Sequence, residues 1–247
     1  MAIVLKSNIS ACIPSMSFAL VASGGTAPYV YSVVANGAGG TINSGTGQYT
    51  APAIPSPKPE KSFDTIFVTD AVAATATKKI LVAPPYRLVL EILQREMGLA
   101  DDRVYLYNQK IFQPKDDDIY IAVKYIHGKP FGNINREVSS GGGMDSQQGV
   151  NITGALQIDI MSRDLSALYR KEEVLMALNS DYSQRQQSAN SFRLALLSAR
   201  MINISELDGS AIPYRFNTEI NITYFSKLVK PVDYFNEFVL SEPVTEE

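Results

Sequence analysis

Apolar positions change their period about a third of the way along the 247-residue chain. Before Pro84-Pro85 they alternate. Phe18, Leu20 and Ala22 interleave with Ala19, Val21 and Ser23, and Tyr29, Ser32 and Val33 belong to a second short run. Thr65 to Thr69 and Ala76 to Val82 supply two more. Between these runs lie Gly24-Gly25, Gly37 to Gly40, Asn43-Ser44-Gly45 and Pro55-Ser56-Pro57, the residues that tight turns require. Short strands at regular spacing with such punctuation predict an antiparallel all-β sandwich, with room for seven short strands.

After the two prolines the pattern turns helical. Tyr86, Val89, Leu90, Leu93 and Met97 fall on one helical face, with Pro85 in the first turn and Gly98 as the stop. Asp101 to Asn108 and Asp116 to Asp118 read as loops around a short extended piece. Ile119 to Ile126 is apolar on both faces, as a central strand is. From His127 to Val150 the chain carries Gly128, Gly132, Gly149 and the run Ser139-Ser140-Gly141-Gly142-Gly143, which predicts a long loop with a function or no fixed structure. Ile152, Leu156, Ile158 and Ile160 then mark a half-buried strand.

Ser162 is placed to cap a helix over Asp164 to Leu178 whose apolar stripe is Leu165, Leu168, Tyr169, Leu175 and Met176. A polar helix over Ser183 to Asn190 opens with Ser183 and Gln186 at capping-box spacing. Met201, Ile202 and Ile204 mark another strand. In the last one, Tyr214, Phe216, Thr218, Ile220, Ile222 and Tyr224 alternate with polar residues. The expected fold is multidomain: a β-sandwich over residues 1–84, then an α+β domain over 85–247 with a mixed or antiparallel sheet flanked by helices.

Composition sharpens that boundary. Residues 1–84 hold 5 Lys, no Arg, 3 acidic residues and only three leucines; the remainder holds 17 basic and 22 acidic residues. The resulting +2 and −5 sum to the formal net charge of −3, which gives no electrostatic footprint for nucleic acid or an anionic membrane. One cysteine cannot form an internal disulfide, and one histidine excludes His-rich zinc sites. The opening Met1 to Lys6 lacks the pattern of a secretory signal, and no apolar run approaches the roughly 20 residues that span a bilayer. The expectation is a soluble chain that folds in a reducing compartment or does not need disulfides.

Candidate chemistry is sparse. His127 alone could serve a Ser–His–Asp arrangement and reads as a solvent-facing residue. Asp116-Asp117-Asp118 lacks the alternating ligands of a calcium loop, and Gly141 to Gly143 lacks the Lys-Ser or Lys-Thr of a phosphate-binding loop. Cys12 reads as a packed side chain. The expectation is no enzyme, no cofactor and no metal site.

Two resemblances add to this reading. Gly24-Gly25-Thr26-Ala27-Pro28-Tyr29-Val30-Tyr31-Ser32-Val33 and Gly40-Thr41-Ile42-Asn43-Ser44-Gly45-Thr46-Gly47-Gln48-Tyr49-Thr50-Ala51-Pro52, followed by Val68-Thr69-Asp70-Ala71, resemble bacterial and phage immunoglobulin-like domains over about residues 10–83. Asp102-Arg103-Val104-Tyr105 after an amphipathic helix, Ile119 to Val123, and the ending Tyr214 to Phe225 then Asp233-Tyr234-Phe235 resemble the neck and tail-terminator proteins of long-tailed phages over about residues 86–240. The second resemblance implies a homo-oligomeric ring, typically a hexamer, on the head-proximal end of the tail tube. Its partners would be the tail tube protein and the head–tail connector or neck proteins, in a virion assembled in the host cytoplasm.

The expected function is therefore structural: capping the tube and joining it to the neck, with no direct nucleic-acid specificity and no membrane. The alternatives are a head-completion or baseplate protein, or a glycan-binding adhesin module; the absence of Trp weighs against the last. Within the segment from Lys129 to Gly149 the expected interaction residues are Phe131, Ile134, Val138, Ser139, Gly141, Gly142 and Gly143.

Overall fold

The computed structural model describes residues 2–6, 11–52, 62–100, 102–107, 114, 116–140, 143–196, 199–205 and 214–232. Among these residues strand is the predominant element, distributed over several sheets, and four helices join it.

The described residues of the N-terminal part form nine short strands: β1 Val4–Lys6, β2 Ala11–Cys12, β3 Ser17–Ala19, β4 Val21–Ser23, β5 Val30–Asn36, β6 Thr41–Ile42, β7 Gln48–Thr50, β8 Phe63–Thr69 and β9 Thr75–Val82. One sheet runs β2-β9-β8-β5, a second β3-β7-β6, and β1 pairs with β4. Alternation does what the pattern predicts: in β8, Asp64, Ile66 and Val68 point inward and their neighbours do not. Phe18, Leu20, Tyr31, Tyr49, Ile66, Val68, Ile80 and Val82 form a common core between the sheets. Gly47 sits at φ +71°, and a Cβ there would lie 2.5 Å from the Leu20 carbonyl oxygen, so the turn into β7 admits only glycine.

The turn after β8 is organised by Asp70. Its carboxylate accepts N–H bonds from Thr26 (2.9 Å), Val72 (3.0 Å) and Ala74 (2.7 Å). These bonds, Thr26 first, hold its pKa below the usual carboxylate range. A depressed folded-state pKa means the carboxylate contributes stability above the unfolded value, near ~3.9, and that contribution disappears as pH falls through the folded value. Melting temperatures measured from pH 5 to pH 2 should therefore fall less steeply for Asp70→Asn than for the wild type; parallel curves would refute the assignment.

The C-terminal part is built on β10 Val104–Leu106, β11 Tyr120–Ser140, β12 Gly143–Ser162, β13 Phe192–Ala195, β14 Ile202–Asn203 and β15 Tyr214–Val232, with helices α1 Pro85–Glu96, α2 Ser166–Arg170, α3 Glu173–Leu178 and α4 Asp181–Ala189. The sheet order is β10-β11-β12-β15-β13, with β14 also on β15. It is mixed, because β10 pairs parallel to β11 and every other pair is antiparallel. One face carries Ile121, Val123, Leu156, Ile158, Ile160, Phe216, Ile220 and Ile222, packed with Leu88, Val89, Ile92 and Leu93 of α1 and with Val174 and Leu178 of α3. Gly98, at φ +64°, ends the first helix as expected.

Four expectations are corrected. The segment from His127 to Val150 is not a loop: it is the outer part of the β11–β12 ladder. The single helix expected over Asp164 to Leu178 is broken into α2 and α3. Its buried residues are Ala167, Val174, Ala177 and Leu178, while Leu165, Tyr169 and Met176 of the expected stripe are 41%, 73% and 68% exposed. Ser162 does accept the Ala167 N–H at 2.9 Å, ahead of that first turn. The polar helix starts at Asp181, because Ser180 is its cap and accepts the Ser183 N–H. Ser183 and Gln186 are buried instead, and Ser183 Oγ donates to the Leu178 carbonyl at 2.6 Å.

The two parts meet through that helix. Ala11, Leu81 and Ala83 pack into the C-terminal core. Asn190, fully buried, accepts the Ile13 N–H at 3.0 Å and donates to the Ala11 carbonyl at 3.3 Å. Arg87 donates to Ser62 Oγ at 3.1 Å from the first turn of α1.

Candidate assembly arm

Strands β11, β12 and β15 continue well past the region that the helices cover. The β11–β12 register runs unbroken from Gly132↔Asn151 to Ser140↔Gly143, and β15 follows β12 as far as Met144↔Val232. From Gly132 to the tip the ribbon extends about 30 Å at the usual rise of a strand. Residues 127–139 are exposed or half-buried throughout. Among the described residues β10 pairs with β11 only over Ile121 to Val123, and β13 and β14 pair with β15 only over Phe216 to Tyr224. No described residue pairs with either outer edge of the ribbon, β11 beyond Lys124 or β15 from Phe225 on.

Glycine explains how a polar, loop-like sequence becomes a ribbon. A Cβ on Gly154 would lie 2.7 Å from the Tyr125 ring, and one on Gly128 would meet the Tyr125 hydroxyl. One on Gly149 would run into the Phe225 ring. The three glycines are therefore seats for aromatic rings rather than turn residues, across strands for Gly149 and Gly154 and along β11 itself for Gly128, an arrangement that restores the packing a strand glycine lacks. Tyr125 and Tyr224 link hydroxyls at 3.2 Å at the base of the ribbon, and the ring of Tyr86 of α1 packs against that of Tyr125, tilted by 39°, at a centroid distance of 5.2 Å. Burial, then Tyr125, pushes the Tyr224 phenol well above its ordinary pKa. The pairing of β11 with β12 shifts register twice as the strand leaves the sheet, between Tyr125 and His127 and between Pro130 and Gly132.

The sequence-selected interaction residues lie along this arm. Phe131 is 61% and Ile134 48% exposed, Val138 is half-buried and Ser139 exposed. Ile134 pairs with Gly149, Val138 with Asp145 and Ser139 with Met144. Gly143 opens β12 opposite Ser140, while Gly141 and Gly142 lie outside the described residues. Sequence reasoning missed Phe225, Lys227 and Leu228, which line the ribbon from the third strand; the alternation that marks this strand breaks at Phe225 and Ser226, so no local pattern points to them.

The opposite face of the sheet carries a buried polar cluster. Asp159, 1% exposed, accepts from Asn217 Nδ2 at 2.9 Å and Gln157 Nε2 at 3.1 Å, with Arg215 at 3.4 Å. Elsewhere one ion pair stands out. Arg103 forms a bidentate pair with Asp116, at 2.6 Å for its Nη1, which lowers the Asp116 carboxyl. Cys12 is buried, and desolvation followed by the charge of Asp64 pushes its thiol to about 12. His127 lies exposed on β11. Among the described residues no three His, Cys, Asp or Glu side chains converge as metal ligands.

No family model and no curated protein matches the chain. Among solved structures it is similar to the protocadherin gamma B7 extracellular cadherin domains 1–4, at 11% identity and a TM-score of 0.26. That match covers 94% of this chain and 49% of the other, so the chain spans about half the length of its structural neighbour.

Proposed function

We propose that the protein is a non-catalytic subunit of a long-tailed phage virion, capping the head-proximal end of the tail tube as a ring and joining it to the neck. The observation that carries this reading is the arm: a three-stranded ribbon with exposed apolar residues, neither outer edge paired and neither face covered along its outer length by the described residues. An isolated molecule gains nothing from such a ribbon, since an open strand edge invites pairing with other chains. In a closed ring each arm meets the same neighbouring surface, and rotational symmetry stops further growth. The N-terminal part is read as an immunoglobulin-like sandwich carried outside the ring, and the C-terminal part as the α+β assembly domain. The tail tube protein and the connector or neck proteins are the partners, met in the host cytoplasm where the virion is built.

Size-exclusion chromatography with light scattering tests the ring. Six copies of 27.0 kDa would give a species of about 162 kDa, whereas a monomer at every concentration would favour the glycan-binding module and sink the terminator reading. Replacing the exposed arm residues, Phe131→Ser with Ile134→Ser, should leave the melting temperature of the subunit within about 2 °C, as surface changes do. The ring should dissociate at concentrations at least ~10-fold higher than for the wild type, because those side chains lose a partner surface. Unchanged assembly would remove the arm from the interface.

A further inference from the structure

A groove of 610 Å³ lies between α3, α4 and β13, lined by Leu175, Leu178, Leu194, Ala195 and Leu196 with Gln184 and Gln187 at its rim. We propose that it receives the C-terminal segment Tyr234 to Leu240 of a second copy of this chain. This rests on the ring reading only in requiring a neighbour.

Three observations converge on that occupant. First, chemistry: five of the seven residues in Tyr234-Phe235-Asn236-Glu237-Phe238-Val239-Leu240 are apolar, suiting a leucine-lined groove. Second, charge: residues 233–247 carry Asp233, Glu237, Glu242, Glu246 and Glu247 and no basic residue. Arg185, next to the rim residue Gln184 on α4, is exposed, and no described carboxylate pairs with it. Third, reach decides which copy. Leu194 stands opposite Ile222 on β15, whereas β15 ends at Val232 beside the ribbon tip. The ten intervening strand residues span about 33 Å. Leu240 is only eight residues past Val232, so its greatest reach back is about 29 Å. The apolar block cannot fill the groove of its own chain, but the tip presents it to a neighbour.

Two full-length variants test this, Phe238→Cys and Leu196→Cys; the native Cys12 is buried and its thiol is held protonated. Mixed under mild oxidation, they should yield a disulfide-linked species of twice the subunit mass that neither variant gives alone. Phe238→Cys mixed with Val72→Cys, at an exposed site in the β-sandwich part, should give none. A double variant, Phe238→Cys with Leu196→Cys, that closes its disulfide within one chain would overturn the second-copy assignment. If the mixed variants form the ring by light scattering without cross-linking, the groove proposal fails and the ring reading stands. If they neither assemble nor cross-link, both fall.

Discussion

Ile220→Asp is expected to leave the C-terminal part unfolded at 25 °C. Ile220 is 1% exposed on β15, opposite Leu156 of β12, within the core that α1 and α3 cover. Removing the side chain costs about 2–5 kcal/mol in a core site. The carboxylate that replaces it finds no cation among the apolar residues on that face, and an unpaired buried charge adds several kcal/mol. Against a total stability of about 5–15 kcal/mol, the sum consumes most of what holds the domain together. Circular dichroism should show lost helix signal and no cooperative melt from that part. Asn221→Asp, one residue along, points to the exposed face and should shift the melt by less than about 0.5 kcal/mol. Comparable effects from the two substitutions would mean that the register of β15 is reversed.

The first eleven residues of that strand, Tyr214 to Tyr224, are legible in sequence, because alternation with period two over that length has no competing explanation; its continuation to Val232 is not. The first helix was legible for a similar reason: its stripe, its Pro85 and its Gly98 agree. What could not be read depends on residues far apart along the chain. Gly149 looks like a loop glycine until Phe225 is seen to occupy the space above it, and no local rule links position 149 to 225. Asn190 is an ordinary helix end in sequence, yet its amide joins the two parts across 177 residues. Leu165, Tyr169 and Met176 have helical spacing, but spacing does not say whether a stripe faces its own core or solvent. The arm residues Phe131 and Ile134 were selected because they are among the few apolar groups in a polar segment. Their exposure follows from the ribbon that composition alone concealed.

Asp64→Ala is expected to destabilise the N-terminal part by about 3–5 kcal/mol, the range found when one partner of a buried polar network is removed. Asp64 is fully buried on β8 and accepts from the backbone N–H groups of Ala38 (2.8 Å), Gly39 (3.3 Å) and Gly40 (2.8 Å) and from the Tyr49 hydroxyl (2.6 Å). Its carboxylate thus anchors the turn between β5 and β6 to the core, and ties the β7 tyrosine to the opposite sheet. Gly40 leaves the room this needs, since a Cβ there would lie 2.5 Å from Asp64 Oδ2. Burial first, and then the bond to Asp64, raises the Tyr49 phenol, so the hydroxyl remains a donor at any pH the fold survives. Alanine would strand three backbone donors and a phenol in an apolar interior. Asp64→Asn keeps one acceptor oxygen but turns an amide toward those same donors, so it should fall between alanine and the wild type. At about 4–8 °C per kcal/mol for a domain of this size, the alanine variant should melt at least ~12 °C lower by calorimetry. Because the network also walls in Cys12, the native thiol should resist alkylating reagents in the wild type and react in Asp64→Ala. Equal melting temperatures with equal thiol reactivity would show that the carboxylate does not hold this turn.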